Sequence, residues 1–131
     1  MRKTFVILTT VFSLSLGAQN ITWQNVNLNV PFENTQAVFN LIDGFYSNIQ
    51  IPEGIRVSLW SIQYKGSSEK ATHILNFAGS KENLAKFESR KLIPEWDAYS
   101  SRLNSLTDRD GFAITAGVTL VRYNLDKWQE T

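Results

Sequence analysis

Amide and aromatic side chains recur at alternate positions early in the sequence. Asn25, Asn27 and Asn29 are separated by apolar residues, and Trp23 extends the same series toward the N-terminus. An amide carries both donors and acceptors, so a row of amides along one face of a strand can hydrogen-bond a polar ligand. Asparagine is poorly suited to strands, which makes the row unusual. The plainer explanation, a strand surface that faces solvent or a second copy of the chain, stays open beside ligand binding.

The centre of the sequence adds further candidates at strand spacing. Trp60 and Tyr64 offer flat apolar rings with a polar edge, the kind of side chain that contacts aromatic or aliphatic ligands. We predict that these residues and the amide row bind a small, partly apolar molecule. The predicted ligand-binding set is Trp23, Asn25, Asn27, Ser58, Trp60, Tyr64 and Asn76.

His73 is the weak catalytic candidate. It is the only histidine of the chain, and an ordinary pKa of ~6.5 suits proton transfer near neutral pH. In the predicted register it shares a strand face with Leu75 and Phe77, beneath the helices. A lone histidine in that position is more often a hydrogen-bonded core or edge residue than a catalyst.

The positions of the charged residues predict a solvent-exposed surface rather than a catalytic or metal site. Four acidic side chains fall on a predicted solvated helix face, and Asp108 and Asp110 flank Arg109 in a predicted turn that lacks the further ligands of a calcium site. The chain has no cysteine, which excludes thiolate zinc sites and cysteine nucleophiles. We therefore predict no metal site and no cofactor. The four helix-face residues are Glu82, Glu88, Glu95 and Asp97.

Two strands and a turn at the centre organise the predicted fold. Residues 55–65 and 70–78 are rich in β-branched and aromatic residues, and a Gly/Ser cluster at residues 66–69 separates them. This pattern predicts a β-hairpin. The inner apolar set of the first arm weakens toward the turn, which also admits a bulge at residues 59–61.

One strand and one helix precede the hairpin. Residues 21–30 alternate between polar and apolar, which predicts a strand with one polar face. Apolar residues then recur with the period of a helix as far as Ser47, and Asn34 is the expected cap. Gly44 inside this helix is tolerable if the helix backbone lies close to the sheet there.

One interrupted helix and one strand follow the hairpin. Ser80 is the expected helix cap, and Pro94 should break the helix near Leu92 because proline is accepted only in the first turn. A turn at residues 107–111 and a strand over residues 112–123 complete the pattern. The order β-α-β-β-α-β predicts a ferredoxin-like α+β fold, with helices on one face of a four-stranded antiparallel sheet.

This order of elements, together with an open sheet face of aromatic and amide residues, resembles the dimeric α/β-barrel proteins, in which two ferredoxin-like subunits pack sheet to sheet. The resemblance covers about residues 21–123 and rests on pattern, without a diagnostic motif. The group includes cofactor-independent monooxygenases of the antibiotic-biosynthesis type, haem-degrading enzymes, stress-responsive barrel proteins and ligand-sensing domains. The resemblance implies a homodimer with a cavity between helices and sheet or inside the barrel, and no single activity.

Some of those enzymes place an asparagine, a histidine and a tryptophan around the substrate. The corresponding residue types here are Asn25 or Asn27, His73 and Trp60, at spacings that do not match the enzymes' pattern. The resemblance therefore implies a fold more firmly than a reaction.

The first eighteen residues predict an export signal. Arg2 and Lys3 precede an apolar run at residues 5–16, and Gly17 and Ala18 are the small residues expected before a cleavage site. The run is too short for a transmembrane helix, and without cysteine no lipid anchor can form at this site. We expect residues 19–131 to be a single periplasmic or secreted domain with no stable membrane anchor.

The charge balance argues against a nucleic-acid partner. The chain has 13 basic and 12 acidic residues, and removing Arg2 and Lys3 with the leader leaves a slightly acidic domain, without the basic surface that nucleic acids require. Three functions remain. We rank a homodimeric small-molecule-binding domain first, a structural protein whose open face is its dimer interface second, and a cofactor-independent monooxygenase-like enzyme third.

Overall fold

The computed structural model describes residues 21–120. Four strands form an antiparallel sheet in the order β2-β3-β1-β4, which is the arrangement that the ferredoxin-like β-α-β-β-α-β pattern predicts. Short 3-10 segments precede α1 and separate α2 from α3. The elements are β1 (Thr22–Asn29), α1 (Thr35–Ser47), β2 (Arg56–Ser61), β3 (His73–Gly79), α2 (Lys81–Phe87), α3 (Glu95–Leu106) and β4 (Asp108–Val118). The predicted export signal at residues 1–18 and the chain beyond residue 120 lie outside the described residues.

The helix α1 forms where the apolar period predicts it and buries Val38, Ile42 and Phe45 against the sheet. Two local expectations about it are wrong. Asn34 occupies the N-cap position without a capping hydrogen bond, because its side-chain amide donates instead to the carbonyl of Leu106 at 3.1 Å. Gly44 is exposed, and a Cβ added there would meet no atom within 4 Å, so no close approach to the sheet explains it.

The second helical connection is interrupted as predicted. Ser80 caps α2, accepting a hydrogen bond from the backbone N–H of Asn83 at 3.1 Å. Residues Glu88–Leu92 form the 3-10 segment, and Ile93 is extended because the residue before a proline is pushed out of the helical region. Pro94 then stands at the start of α3. Among residues 21–120, no helix is long and apolar enough to span a bilayer.

The register of the strands divides the sheet into two faces. On the helix face, Leu75 lies opposite both Val26 and Leu59. Side chains alternate along each strand, so the residues between these belong to the other face, which we call the open face. The helices bury the core on the helix face, in a cluster of Leu28, Val30, Val38, Ile42, Phe45, Tyr46, Leu75, Phe77, Phe87, Tyr99 and Leu106.

The hairpin is shorter and its loop longer than predicted. β2 ends at Ser61 and β3 begins at His73, so the predicted turn lies within a loop of residues 62–72. The pairing of β2 with β3 runs without a register shift, and the bulge at residues 59–61 is therefore absent. The irregularity lies elsewhere, where the register of β1 and β4 shifts between Asn27 and Asn29.

The last strand begins earlier than predicted, at Asp108 rather than Phe112. The extra residues are accommodated by the register shift, where Gly111 adopts a φ of 95°. Ile114 pairs with Val26 and so belongs to the helix face, yet it is 57% exposed. The aliphatic set of β4 is therefore not covered by helices, contrary to expectation, because the buried core centres on β1 and β3.

Gly111 provides a test of this irregular pairing. A Cβ at this position would lie 2.6 Å from Cβ of Lys70 and 2.9 Å from its carbonyl carbon, and the positive φ adds strain for any other residue. We expect Gly111→Ala to lower the free energy of unfolding by about 1–3 kcal/mol in urea titrations. Gly66→Ala is the matched control, since nothing lies within 4 Å of its added Cβ. Equal effects of the two substitutions would contradict this packing.

Candidate functional site

Six of the seven residues predicted to bind a ligand share the open face. Asn25 lies opposite both Asn76 and Thr115, and Asn76 lies opposite Ser58. A row of neutral hydroxyl and amide groups therefore crosses all four strands. The Asn76 amide donates to Oδ1 of Asn25 at 2.6 Å, so part of the row's hydrogen-bonding capacity is used within the sheet.

A row of paired residues lies on each side of this polar row, and the two rows differ in how far their tryptophan projects from the sheet. On one side Trp60 lies opposite Ile74, and Ile74 opposite Asn27, with 58% of Trp60 exposed. On the other side Trp23 lies opposite Gly117, where a Cβ would come within 2.8 Å of Cε2 of the indole. Gly117 thus allows the indole of Trp23 to lie against the backbone of β4, whereas Trp60 projects.

Tyr64 does not join this surface. It lies in the loop between β2 and β3 rather than in a strand, and 97% of it is exposed. Asn29, the last amide of the predicted row, donates to the carbonyl of Asp110 at 2.8 Å and so helps to hold the irregular start of β4. The sequence pattern could not distinguish these two residues from the members of the open face.

A concave site lies on the opposite side of the sheet, between α1 and strands β2 and β3. We call this cavity of about 360 Å³ the α1 cleft. Its volume is near the lower end of the range for small-molecule sites. Most of its wall is apolar, and the polar side chains are Asp43, Ser47 and the edge of Tyr46. The lining residues are Phe39, Ile42, Asp43, Tyr46, Ser47, Ile51, Val57, Leu59 and Leu75.

None of the seven predicted ligand-binding residues lines the α1 cleft, and neither does His73. Phe39 and Asp43 are exposed residues of α1, and a helical pattern assigns such positions to solvent. Ser47 donates a hydrogen bond to Asp43 at 3.3 Å. The resemblance to the dimeric α/β-barrel proteins implied a cavity between helices and sheet. That general expectation, rather than any residue pattern, pointed to this site.

A second cavity of about 240 Å³ lies where α3 meets the start of β4. Its wall includes Asp108, Arg109 and Phe112 beside Asn104 and Thr107. The predicted turn residues are here exposed parts of β4. Within residues 21–120, no group of three or more potential metal ligands is assembled, and the four predicted helix-face acids are all exposed.

His73 lies on the helix face, as predicted, paired with Leu28 and Ser61. Its Nδ1 is 2.8 Å from the hydroxyl of Thr72, which also accepts a hydrogen bond from the backbone N–H of Val30. Partial burial lowers the pKa of His73 below its ordinary value. The residue lines neither of the two cavities, so the geometry does not place it against a bound molecule.

A buried cation that the sequence pattern does not reveal lies next to the cleft. Arg90, in the 3-10 segment, has a side chain only 6% exposed. Its guanidinium carbon lies 4.6 Å from the ring centres of both Phe77 and Phe87, and 5.6 Å from that of Trp96. In the sequence Arg90 resembles any surface arginine of an amphipathic helix.

Two tyrosines adjoin this cation. Burial raises the pKa of the Tyr46 phenol, and the positive charge of Arg90 opposes that rise. Burial also raises the pKa of Tyr99, and the neighbouring Tyr46 raises it further. Both phenols are therefore neutral donors at physiological pH. Tyr46 belongs to both regions, since it also lines the α1 cleft.

No protein-family model and no curated protein matches this sequence, whereas solved structures do resemble the fold. A conserved protein from Methanosarcina mazei gives a TM-score of 0.55 at 11% identity, covering 76% of this chain and 93% of that one. A protein of Nitrosomonas europaea, described as an antibiotic biosynthesis monooxygenase, gives 0.52 at 11% identity over 79% and 92%. The hydroxynitrile lyase of Passiflora edulis gives 0.55 at 12% identity over 80% and 98%.

These comparisons confirm the predicted resemblance to dimeric α/β-barrel proteins at the level of the fold. Identities of 11% and 12% carry no residue correspondence, and the similar structures differ in their named activities. Function therefore has to be inferred from the site itself.

The position of His73 predicts its titration. As the single histidine, it gives unambiguous ring C–H signals in ¹H NMR, and burial should place their midpoint below ~6.5. The unfolded chain binds the proton more readily, so this group's contribution to stability is complete above pH ~6.5 and is lost as the pH falls through the lowered pKa. A midpoint at or above that of a free histidine would contradict the effect of burial on this ring.

Proposed function

We propose that this chain is a small-molecule-binding domain that holds a small, largely apolar molecule in the α1 cleft. The supporting observation is the shape and lining of the cleft, which is concave, near 360 Å³, and walled by aliphatic and aromatic side chains with a few polar groups. Binding sites for small molecules commonly combine these properties. The polar groups Asp43 and Ser47 on α1 would fix the orientation of the molecule.

The open face is the alternative location for the molecule, as the sequence predicts. Its residues supply hydrogen-bonding groups and an exposed indole, but they lie along a sheet and line neither described cavity. A single sheet face encloses little of a small molecule unless something else covers it. The α1 cleft is therefore the better supported site in one copy of the chain.

We propose further that a second copy of the chain covers the open face. The polar row contains no charged residue, and the projecting Trp60 and neighbouring Ile74 form apolar area beside it. Burial of neutral amides and hydroxyls is tolerable when they hydrogen-bond one another, as Asn25 and Asn76 do. A homodimer packed sheet to sheet would also agree with the fold resemblance. The interaction-protein alternative differs only in leaving the cleft without a ligand.

The export signal predicted at residues 1–18 makes this domain periplasmic or secreted in our proposal. The monooxygenase-like alternative remains third. Two similar structures carry enzyme names, but His73, the proton-transferring residue that the sequence suggests, lies outside the walls of both cavities.

Blocking the cleft tests where the molecule binds. Ser47 is exposed and lines the cleft, so Ser47→Trp should fill the site without disturbing the core. With N-phenyl-1-naphthylamine as a neutral apolar probe, we expect saturable fluorescence enhancement from the unmodified chain. The substitution should weaken binding about tenfold or more, which corresponds to about 1.4 kcal/mol.

Ser101→Trp is the matched control, because Ser101 is an exposed residue of α3 that lines neither cavity. It should leave probe binding unchanged. If Ser47→Trp also leaves it unchanged while Trp60→Ala abolishes it, the molecule binds on the open face and the cleft assignment is wrong.

Introducing charge on the open face tests the dimer. Trp60→Glu would place a carboxylate from each copy in the proposed interface, where an unpaired charge is costly. We expect sedimentation velocity to show a dimer for the unmodified chain and a monomer, or an association at least tenfold weaker, for the variant. Phe32→Glu is the control, since Phe32 is 93% exposed and lies outside the sheet. A monomeric unmodified chain would overturn the proposal.

A further inference from the structure

The buried arginine beside the α1 cleft lacks a buried counter-ion. Of the described carboxylates, Glu88 approaches it, with Oε1 3.4 Å from Nη1, but the Glu88 side chain is 46% exposed. Glu88 also pairs with Lys91. Burial alone would raise the pKa of Glu88, yet the hydrogen bond and charge of Lys91, with smaller contributions of the same kinds from Arg90, outweigh it and lower that pKa. The one nearby anion is thus at the rim and shared, and the interior around Arg90 carries net positive charge.

Two polar atoms of this cluster have no hydrogen-bond partner among residues 21–120. They are Nε of Arg90 and the hydroxyl oxygen of Tyr99, on residues that are 7% and 5% exposed. The Nη1 atom of Arg90 is occupied, donating to the carbonyl of Phe87 at 3.0 Å. Folded proteins rarely leave buried donors unmatched, because each one loses its hydrogen bonds to water without replacement. The nearest polar group to both is the Tyr46 hydroxyl, whose pKa Arg90 and Tyr99 each hold down, yet neither orphaned atom finds an acceptor at hydrogen-bond geometry. The cluster therefore offers two buried donors to an acceptor that the described chain does not supply.

Tyr46 separates this cluster from the cleft. Its ring is part of the cleft wall, and it contacts Tyr99 and Phe77 with ring centres 5.8 Å and 5.6 Å away. Burial raises the pKa of its hydroxyl, whereas the charge of Arg90 and hydrogen bonding with Arg90 and Tyr99 lower it. Arg90 and Tyr99 themselves do not line the cleft. A rotation of the Tyr46 side chain would therefore join the apolar cleft to the positively charged cluster behind it.

We propose that the molecule held in the α1 cleft is an apolar monocarboxylic acid, with its hydrocarbon body in the cleft and its carboxylate past Tyr46 at Arg90 and Tyr99. This inference rests on the proposed function, whose ligand it assigns to a chemical class. A carboxylate has two oxygens, each able to accept from a guanidinium or phenol donor. The aromatic rings around Arg90 exclude water, which strengthens the pairing of the two charges.

The test compares decanoate with decanol, two molecules of the same chain length that differ in the charged group. Each is titrated against the full mature chain with bound N-phenyl-1-naphthylamine, and displacement of the probe gives the affinity. We expect decanoate to bind at least tenfold more tightly than decanol at neutral pH. Arg90→Met keeps the length and apolar contacts of the side chain while removing the charge, and it should abolish this preference while leaving decanol binding unchanged.

Two further variants separate binding from packing. Arg102→Met, on the exposed side of α3, should retain the preference for decanoate. Tyr99→Phe removes only the orphaned hydroxyl, so it should leave the melting temperature unchanged or higher and weaken decanoate several-fold without affecting decanol. This variant keeps the test decisive if Arg90→Met does not fold.

The possible failures are distinguishable. Equal affinity for decanoate and decanol in the unmodified chain, both competing with the probe, would overturn the acid assignment and leave the apolar cleft standing. A preference for decanoate that survives both Arg90→Met and Tyr99→Phe would overturn the assigned residues. If neither molecule displaces the probe, or if the chain binds no probe, the proposed function fails and this inference with it.

Discussion

The packing around Phe77 is the constraint on which the rest of this structure depends. This side chain is 1% exposed and lies at the centre of β3, where it contacts Tyr46 of α1, Phe87 of α2 and the guanidinium of Arg90. One residue of the sheet therefore contacts α1, α2 and the 3-10 segment at once. Edge-on and tilted ring contacts of this kind have defined geometry, so the separation between the helices and the sheet, and with it the width of the α1 cleft, is set here.

The fold was predictable because its signals are local. Each signal depends on a few neighbouring residues: the alternation in β1, the helical period in α1, the cap at Ser80 and the helix break at Pro94. Together they leave one plausible order of elements. What failed depended on contacts between distant residues. Asn34 donates to Leu106 rather than capping its own helix, and the early start of β4 depends on how Gly111 fits against the loop before β3.

The candidate site was less predictable for the same reason. Alternation identifies Trp60 and Asn76 as neighbours on one face, and the register bears out that grouping. It cannot show that a cleft forms on the other face, because a cavity results from the distance between two packed layers. Arg90 illustrates the limit most clearly, since only the convergence of three aromatic rings from separate elements turns this residue of a polar segment into a buried cation.

The position of β1 between β3 and β4 has a consequence for how the chain folds. β1 is the first strand and β4 the last of the described chain, and Trp23 and Gly117 lie directly opposite each other. The sheet cannot be completed until almost the whole sequence is available, and pairing of such distant segments is intrinsically slow. The chain is synthesised from its N-terminus, so one edge of β1 stays unpaired for nearly all of the synthesis. If the protein is exported as proposed, this delay would keep the chain unfolded, and so able to pass through a translocation channel, until it has crossed the membrane.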